Sequence, residues 1–183
     1  MYGKLTFICG PMYAGKTTEL LKRILWARNG CGKAVLVLKP AFDNRYSITK
    51  IVSHDGLSVE SKAISSFNEV ISLIDDAEMI CIDEAQFFTS PHFQDDLIEW
   101  VSKFLANGKE IVATGLDMDW KGQPFDISAR LSAMADDVIK IKANCTVCGT
   151  SAAKTFKKIP NDEQIELGAN NLYEARCNTH WKL

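Results

Sequence analysis

An α/β fold, with a central parallel β-sheet flanked by helices and a small metal-stapled C-terminal unit, is what this sequence predicts. Three observations predict it. Short apolar runs alternate with amphipathic stretches through residue 143, the pattern of parallel strands joined by helical crossovers. A glycine-rich segment, GPMYAGKT (Gly10 to Thr17), joins the first apolar run to the first amphipathic stretch. From Asn144 the chemistry changes, and Cys145, Cys148, Cys177 and His180 gather near the end of the chain. The expected boundary therefore separates a nucleotide-binding α/β domain (1–143) from a metal-binding tail (144–183).

In chain order, KLTFICG (4–10) is short, aromatic and β-branched, and predicts a buried strand. TELLKRILWARNG (18–30) has apolar residues at helical spacing and ends in Asn-Gly, a helix stop. AVLVLK (34–39) is continuous enough for a strand buried on both faces. After Pro40 the chain turns polar, which predicts loop with a short edge hairpin around 49–62. Helices are expected over 67–75, 93–106 and 128–135, and strands over 78–83, 110–115 and 137–143.

Composition bounds the function. With 46% hydrophobic and 24% charged residues, the chain carries enough apolar side chains for a packed core. A formal net charge of −2 gives no electrostatic case for a nucleic-acid or membrane partner. No apolar stretch reaches bilayer-spanning length, and the opening MYGKLTFICGPMY is a poor signal peptide, so a cytoplasmic protein is expected. In that reducing setting, Cys9 and Cys81 inside apolar runs read as small buried hydrophobes, and Cys31 lies in a turn.

GPMYAGKT fits G-x-x-x-x-G-K-[ST] in the strand-to-helix context of a phosphate loop, so the α/β core is expected to be of the P-loop NTPase kind, binding ATP or GTP. Gly10 and Gly15 allow the tight wrap, and the backbone N–H groups of the loop turn toward phosphate. The helix that follows adds its positive end. Lys16 supplies charge for the β- and γ-phosphates, and the Thr17 hydroxyl is a Mg²⁺ ligand.

In IDEAQFF (82–88), Asp83 follows an apolar run, the position of an acid that holds Mg²⁺ beside a phosphate loop. Adjacent strand residues face opposite ways, so Asp83 is expected to face the metal and Glu84 the group that attacks the γ-phosphate. The heptapeptide leaves open whether that group is water or a substrate hydroxyl.

Cys145-x-x-Cys148 and Cys177-x-x-His180 form two knuckles. A Cys₃His set suits tetrahedral Zn²⁺ and leaves no open coordination position, so the expected zinc is structural. A redox Cys-x-x-Cys is the alternative. His92 reads as a surface residue.

GPMYAGKT, DNRYS, SHDG, DEAQFF, GLDMDWKGQPF, the C-x-x-C pair, LGANNLY and the closing C-x-x-H occur in the order seen in type II thymidine kinases, which carry a zinc-bearing lasso. The chain resembles that family over essentially its whole length. The resemblance implies transfer of the ATP γ-phosphate to the 5′-hydroxyl of thymidine, or of deoxyuridine, with Glu84 as the base. It implies that Gly10, Pro11, Met12, Tyr13, Ala14, Gly15, Lys16 and Thr17 hold the triphosphate. Asp43, Asn44, Arg45, Asp83 and Gln86 would complete that side, with Thr17 and Asp83 near Mg²⁺.

On the nucleoside side, the resemblance implies that Met12, Leu116, Thr155 and Tyr173 surround the thymine methyl, with Gln86, Phe87 and Trp120 framing the nucleoside. The lasso segment Gln164, Ile165, Glu166, Leu167 and Gly168 would hydrogen-bond the base edge. A homotetramer and feedback inhibition by dTTP are further implications of the resemblance. His54 matches a Ser-His-x-Gly motif of the family. Two departures stand out: Trp120-Lys121-Gly122-Gln123 replaces the commoner Phe-Arg-Gly-Glu, and Ala169 stands where a second glycine is usual. A Trp keeps the aromatic face.

Overall fold

The computed structural model describes residues 1–43, 49–52, 56–159 and 172–182. Six strands form one parallel sheet in the order β5-β2-β6-β7-β1-β8: β1 (Lys4–Cys9), β2 (Val35–Pro40), β5 (Lys62–Ile64), β6 (Met79–Ile82), β7 (Glu110–Gly115) and β8 (Asp137–Lys140). The central strands are buried on both faces, which is why they read as continuous apolar runs. Along β1, Leu5, Phe7 and Cys9 face one core, while Ile8 faces the other.

The first core is closed by α3 (Leu97–Ala106) and α4 (Asp126–Met134), with α2 (Ile71–Asp76) and an aromatic group in which Phe67 contacts Phe88, Phe93, Trp100 and Phe104. The second is closed by α1 (Lys16–Leu25), whose Leu20, Leu21 and Ile24 pack on Val37, Cys81 and Val112. Cys9 and Cys81 are buried in these cores as small apolar side chains.

Several boundaries depart from the sequence expectation. The helix expected over 18–30 ends at Leu25 and continues as one wider π-turn over Trp26–Gly30. The helix expected from residue 93 begins at Leu97, because the Asp96 carboxylate accepts the Ile98 and Glu99 N–H groups and caps it there. The expected hairpin is present as β3 (Lys50–Val52) against β4 (Ser58–Glu60), but β5 leaves it and joins β2 in parallel. Three residues with only Ile64 fully buried give too short a pattern to mark a strand. The last strand of the main sheet ends at Lys140, short of residue 143.

Two small antiparallel pairs follow: β9 (Ala143–Asn144) with β10 (Ser151–Ala152), and β11 (Lys154–Lys157) with β12 (Tyr173–Arg176). Because all six main strands are parallel, the segments after β1, β2, β6 and β7 leave the sheet at one edge. Ligands bind at that edge in open parallel sheets.

Candidate active site

The loop after β1 is shaped by its glycines. Gly10 has φ +146°, and a Cβ there would lie 2.2 Å from the Ile141 carbonyl oxygen. Gly15, at φ 82°, caps α1 in a left-handed conformation. Tyr13 also has positive φ, 64°, an uncommon state for a non-glycine residue. Lys16 is 8% exposed and its Nζ donates to the Pro11 carbonyl at 2.7 Å. Burial pushes its pKa down, while the carboxylates of Glu84, Asp83 and Asp117 work in the opposite direction. Phosphate-loop lysine and acids thus act on one another across the end of the sheet.

Asp83 follows β6. Its Oδ1 accepts the Thr114 hydroxyl at 2.5 Å, and the Thr17 hydroxyl lies 3.4 Å from Oδ2. Burial, with the neighbouring Glu84 charge next, pushes the Asp83 carboxyl up to about 7. The pairing of Thr17 with Asp83 is an arrangement that suits a divalent cation, because two hard oxygen ligands converge at the phosphate loop.

Strand alternation does not orient Glu84. The strand ends at Ile82, and Glu84 sits beyond it in the left-handed region, φ 53° and ψ 47°, opening a short 3₁₀ turn over Ala85–Phe87. Its direction is therefore set by that backbone state, and strand pleating has no part in it. Gln86, which the resemblance implies as a nucleotide contact, follows in that turn. It is 1% exposed; its Nε2 donates to Glu84 Oε2 at 2.5 Å, and its Oε1 accepts the Leu116 N–H at 2.9 Å. Both ends of the amide are engaged beneath the site.

The metal-side unit meets the phosphate loop directly. The Met12 N–H donates to Thr155 Oγ1 at 3.1 Å, and the Tyr13 hydroxyl donates to the Tyr173 carbonyl at 3.3 Å. Tyr13 and Ala14 pack on Ala143, Cys145, Ala152, Ala175 and Cys177. Leu116 leaves β7 beside Glu84's turn, and its carbonyl accepts the Ser128 hydroxyl at 2.6 Å. Trp120 and Tyr173 are both buried, at 9% and 6% exposed.

Lys157 was not foreseen. It is 1% exposed, with Nζ 5.7 Å from the ring centroids of both Trp120 and Tyr173. A period-two reading outward from Thr155 along β11 would have found it, since the two share the buried face. Phe87 is buried with its ring edge-on to Phe42 at 5.6 Å. His92, expected as a surface residue, is half-buried and stacks on Phe42 at 3.6 Å between centroids, just before Asp43. Asn44, Arg45, His54, Gln164, Ile165, Glu166, Leu167, Gly168 and Ala169 lie outside the described residues.

Cys145, Cys148, Cys177 and His180 offer ligand atoms that all lie within 4.8 Å of one another. The Cys148 and Cys177 sulfurs are 3.8 Å apart, and His180 Nδ1 is 3.7 Å from Cys145 Sγ and 3.2 Å from Cys177 Sγ. A tetrahedral Zn²⁺ with ordinary Zn–S and Zn–N bonds has ligand–ligand edges of roughly 3.6–3.8 Å, so the four residues fit that ion. Burial would push the Cys177 thiol up, but the His180 N–H and hydrogen bonds from Thr150 and His180 more than reverse this and bring it to about 5. Cys145 is lowered to about 7: backbone N–H groups, led by that of Cys177, override the opposing effect of burial. Both favour thiolate, the ligand form.

Among the described residues, no helix is long and apolar enough to cross a membrane. The thymidine kinase family model matches residues 3–181. A thymidine kinase of Coprothermobacter proteolyticus is 39% identical over 184 residues, covering 97% of this chain and 90% of that protein. A thymidine kinase of Bacteroides thetaiotaomicron is 39% identical over 175 residues, covering 96% of this chain and 85% of that one. Among solved structures, domain III of the Thermotoga maritima replication initiation protein DnaA matches with a TM-score of 0.47 and 16% identity, over 78% of this chain and 56% of the other. With the family model and both relatives spanning nearly its whole length, this chain belongs to the thymidine kinase family.

Proposed function

We propose that this thymidine kinase takes the 5′-hydroxyl proton of thymidine, or of deoxyuridine, on Glu84 while the hydroxyl oxygen attacks the ATP γ-phosphate in line. The products are dTMP and ADP. The observation that carries the reading is convergence: Lys16, Asp83 and Glu84 act on one another electrostatically at the same sheet edge where Thr155 and Tyr173 meet Met12 and Tyr13. Donor-side charge and a nucleoside-side wall therefore adjoin.

In this reading Gly10 to Thr17 cradle the triphosphate, Lys16 stabilises the transferring charge, and Asp43, Asn44 and Arg45 complete the phosphate side. Thr17 and Asp83 would hold Mg²⁺, which supplies charge neutralisation for the β- and γ-oxygens. Met12, Leu116, Trp120, Thr155 and Tyr173 wall the nucleoside, with Phe87 behind them and residues 164–168 along the base edge. Closing this site excludes water, which limits wasteful ATP hydrolysis. Cys145, Cys148, Cys177 and His180 would hold a structural Zn²⁺ that fixes residues 144–183 as the covering unit over the 1–143 nucleotide-binding domain. Family resemblance is the support for a cytoplasmic homotetramer and for feedback by dTTP.

The test is Glu84→Gln. An amide keeps the shape and can still accept from Gln86, but it cannot take a proton. Turnover should fall by about 10²–10⁴-fold with ATP and thymidine binding retained. Undiminished phosphorylation by the variant, or ATP consumption independent of thymidine in the parent enzyme, defeats the assignment.

A further inference from the structure

We propose that Gln86 is a positioning residue for phosphoryl transfer, its amide clamping the Glu84 carboxylate at a fixed distance from the Leu116 backbone and so fixing the base that faces the acceptor hydroxyl. The inference rests on the reading of Glu84 as the base. The orientation of the amide is fixed by chemistry. The Leu116 backbone N–H can only donate, so Gln86 Oε1 must face it, as it does at 2.9 Å. The NH₂ group is then aimed the other way, into Glu84 Oε2 at 2.5 Å.

The surroundings leave this arrangement little freedom. Gln86 is 1% exposed, so its amide is shielded from water on its own side of both bonds. Gly115 makes the room: a Cβ there would stand 2.9 Å from Gln86 Oε1 and 3.5 Å from the Ala85 and Gln86 nitrogens. Glu84, by contrast, springs from a left-handed residue on a three-residue turn, and its side chain has three rotatable bonds. The amide bond restrains the carboxylate end.

Two consequences follow for the reaction. Held by that amide, the Glu84 carboxylate receives the 5′-hydroxyl proton. As that proton arrives, the alkoxide electron pair forms the new bond to the γ-phosphorus. The bond from phosphorus to the β–γ bridging oxygen breaks, and ADP leaves with that electron pair. The Gln86 bond persists throughout, because the carbonyl oxygen of a protonated carboxyl still accepts. Second, the same amide ties the base to the Leu116 backbone, a segment of the proposed nucleoside wall, so base and acceptor are held at one spacing. Held geometry of this kind is worth large factors in rate, and loosening it by about an ångström costs up to about 10²-fold.

Gln86→Met keeps the length and apolar stem but removes both hydrogen bonds. It should lower kcat about 10–100-fold, with the dissociation constants of ATP and thymidine unchanged within about twofold. In a Glu84→Gln background the same change should cost no further turnover, since there is no base left to position. If Gln86→Met does not fold, Gln86→Asn serves: its amide is one methylene too short to bridge Leu116 and Glu84, and the same kcat loss is expected. A raised ATP dissociation constant with unchanged kcat would make Gln86 a nucleotide contact and overturn the inference. So would losses that add fully in the Glu84→Gln background. A fully active Glu84→Gln enzyme would instead remove the base itself, and that result is read without touching Gln86.

Discussion

Asp83→Asn isolates the conflict between stability and function at the end of β6. The buried Asp83 carboxyl is raised from 3.8 to about 7 by burial first and by the Glu84 charge second. Between those values the folded protein holds a proton that the unfolded chain releases. Unfolding free energy therefore falls as pH rises from about 4 to about 7, and levels off above that. At 1.36 kcal/mol per unit, the contribution lost is on the order of 1–2 kcal/mol at pH 5 and about 4 kcal/mol at pH 8.

Asparagine avoids the loss. Its Oδ1 still accepts the Thr114 hydroxyl, and its amide can donate to the Thr17 hydroxyl. In nucleotide-free, metal-free buffer, Asp83→Asn should raise the thermal midpoint by about 3–6 °C at pH 5 and about 8–16 °C at pH 8. Thermal unfolding at the two pH values measures it, and kinase activity should be lost in the same variant. A stabilisation equal at both pH values, or a destabilised variant at pH 8, would refute the reasoning.

Two further expectations concern the junction of loop and tail. Elemental analysis should find one Zn²⁺ per chain; because Tyr13 and Ala14 pack on the knuckle unit, Cys177→Ser should raise KM for ATP as well as for thymidine. A metal-free protein with full affinity for both would refute that coupling. Thr155→Val removes the acceptor of the Met12 N–H at a residue 5% exposed, so it should cost about 1–3 kcal/mol in urea unfolding and weaken ATP binding.

Much of this architecture was legible because its physics is local. Continuous apolar runs at β1, β2, β6 and β7 announced strands covered on both sides, and the glycines of the phosphate loop announced the backbone that Gly10 and Gly15 adopt. The two knuckles were readable because metal ligands come at fixed spacings. What stayed hidden depended on distant partners. The Glu84 backbone left the strand early, which no local propensity signals. Gln86 acquired its geometry from Leu116, thirty residues away. Lys157 is buried with the rings of Trp120 and Tyr173 beside it, and His92, half-buried, stacks on the ring of Phe42.

The contact between the phosphate-loop tip and the tail bears on how freely this loop can vary. In the bare G-x-x-x-x-G-K-[ST] pattern the four x positions are unconstrained. Here Met12, Tyr13 and Ala14 are also the surface on which Thr155, Tyr173 and the knuckle unit rest. A loop transplanted from an unrelated nucleotide-binding protein would bring every residue that cradles phosphate and would still break the seat of the tail. Such a chimera should bind ATP and lose the nucleoside. The interchangeable part of this protein is thus loop and tail together, and neither can be exchanged alone.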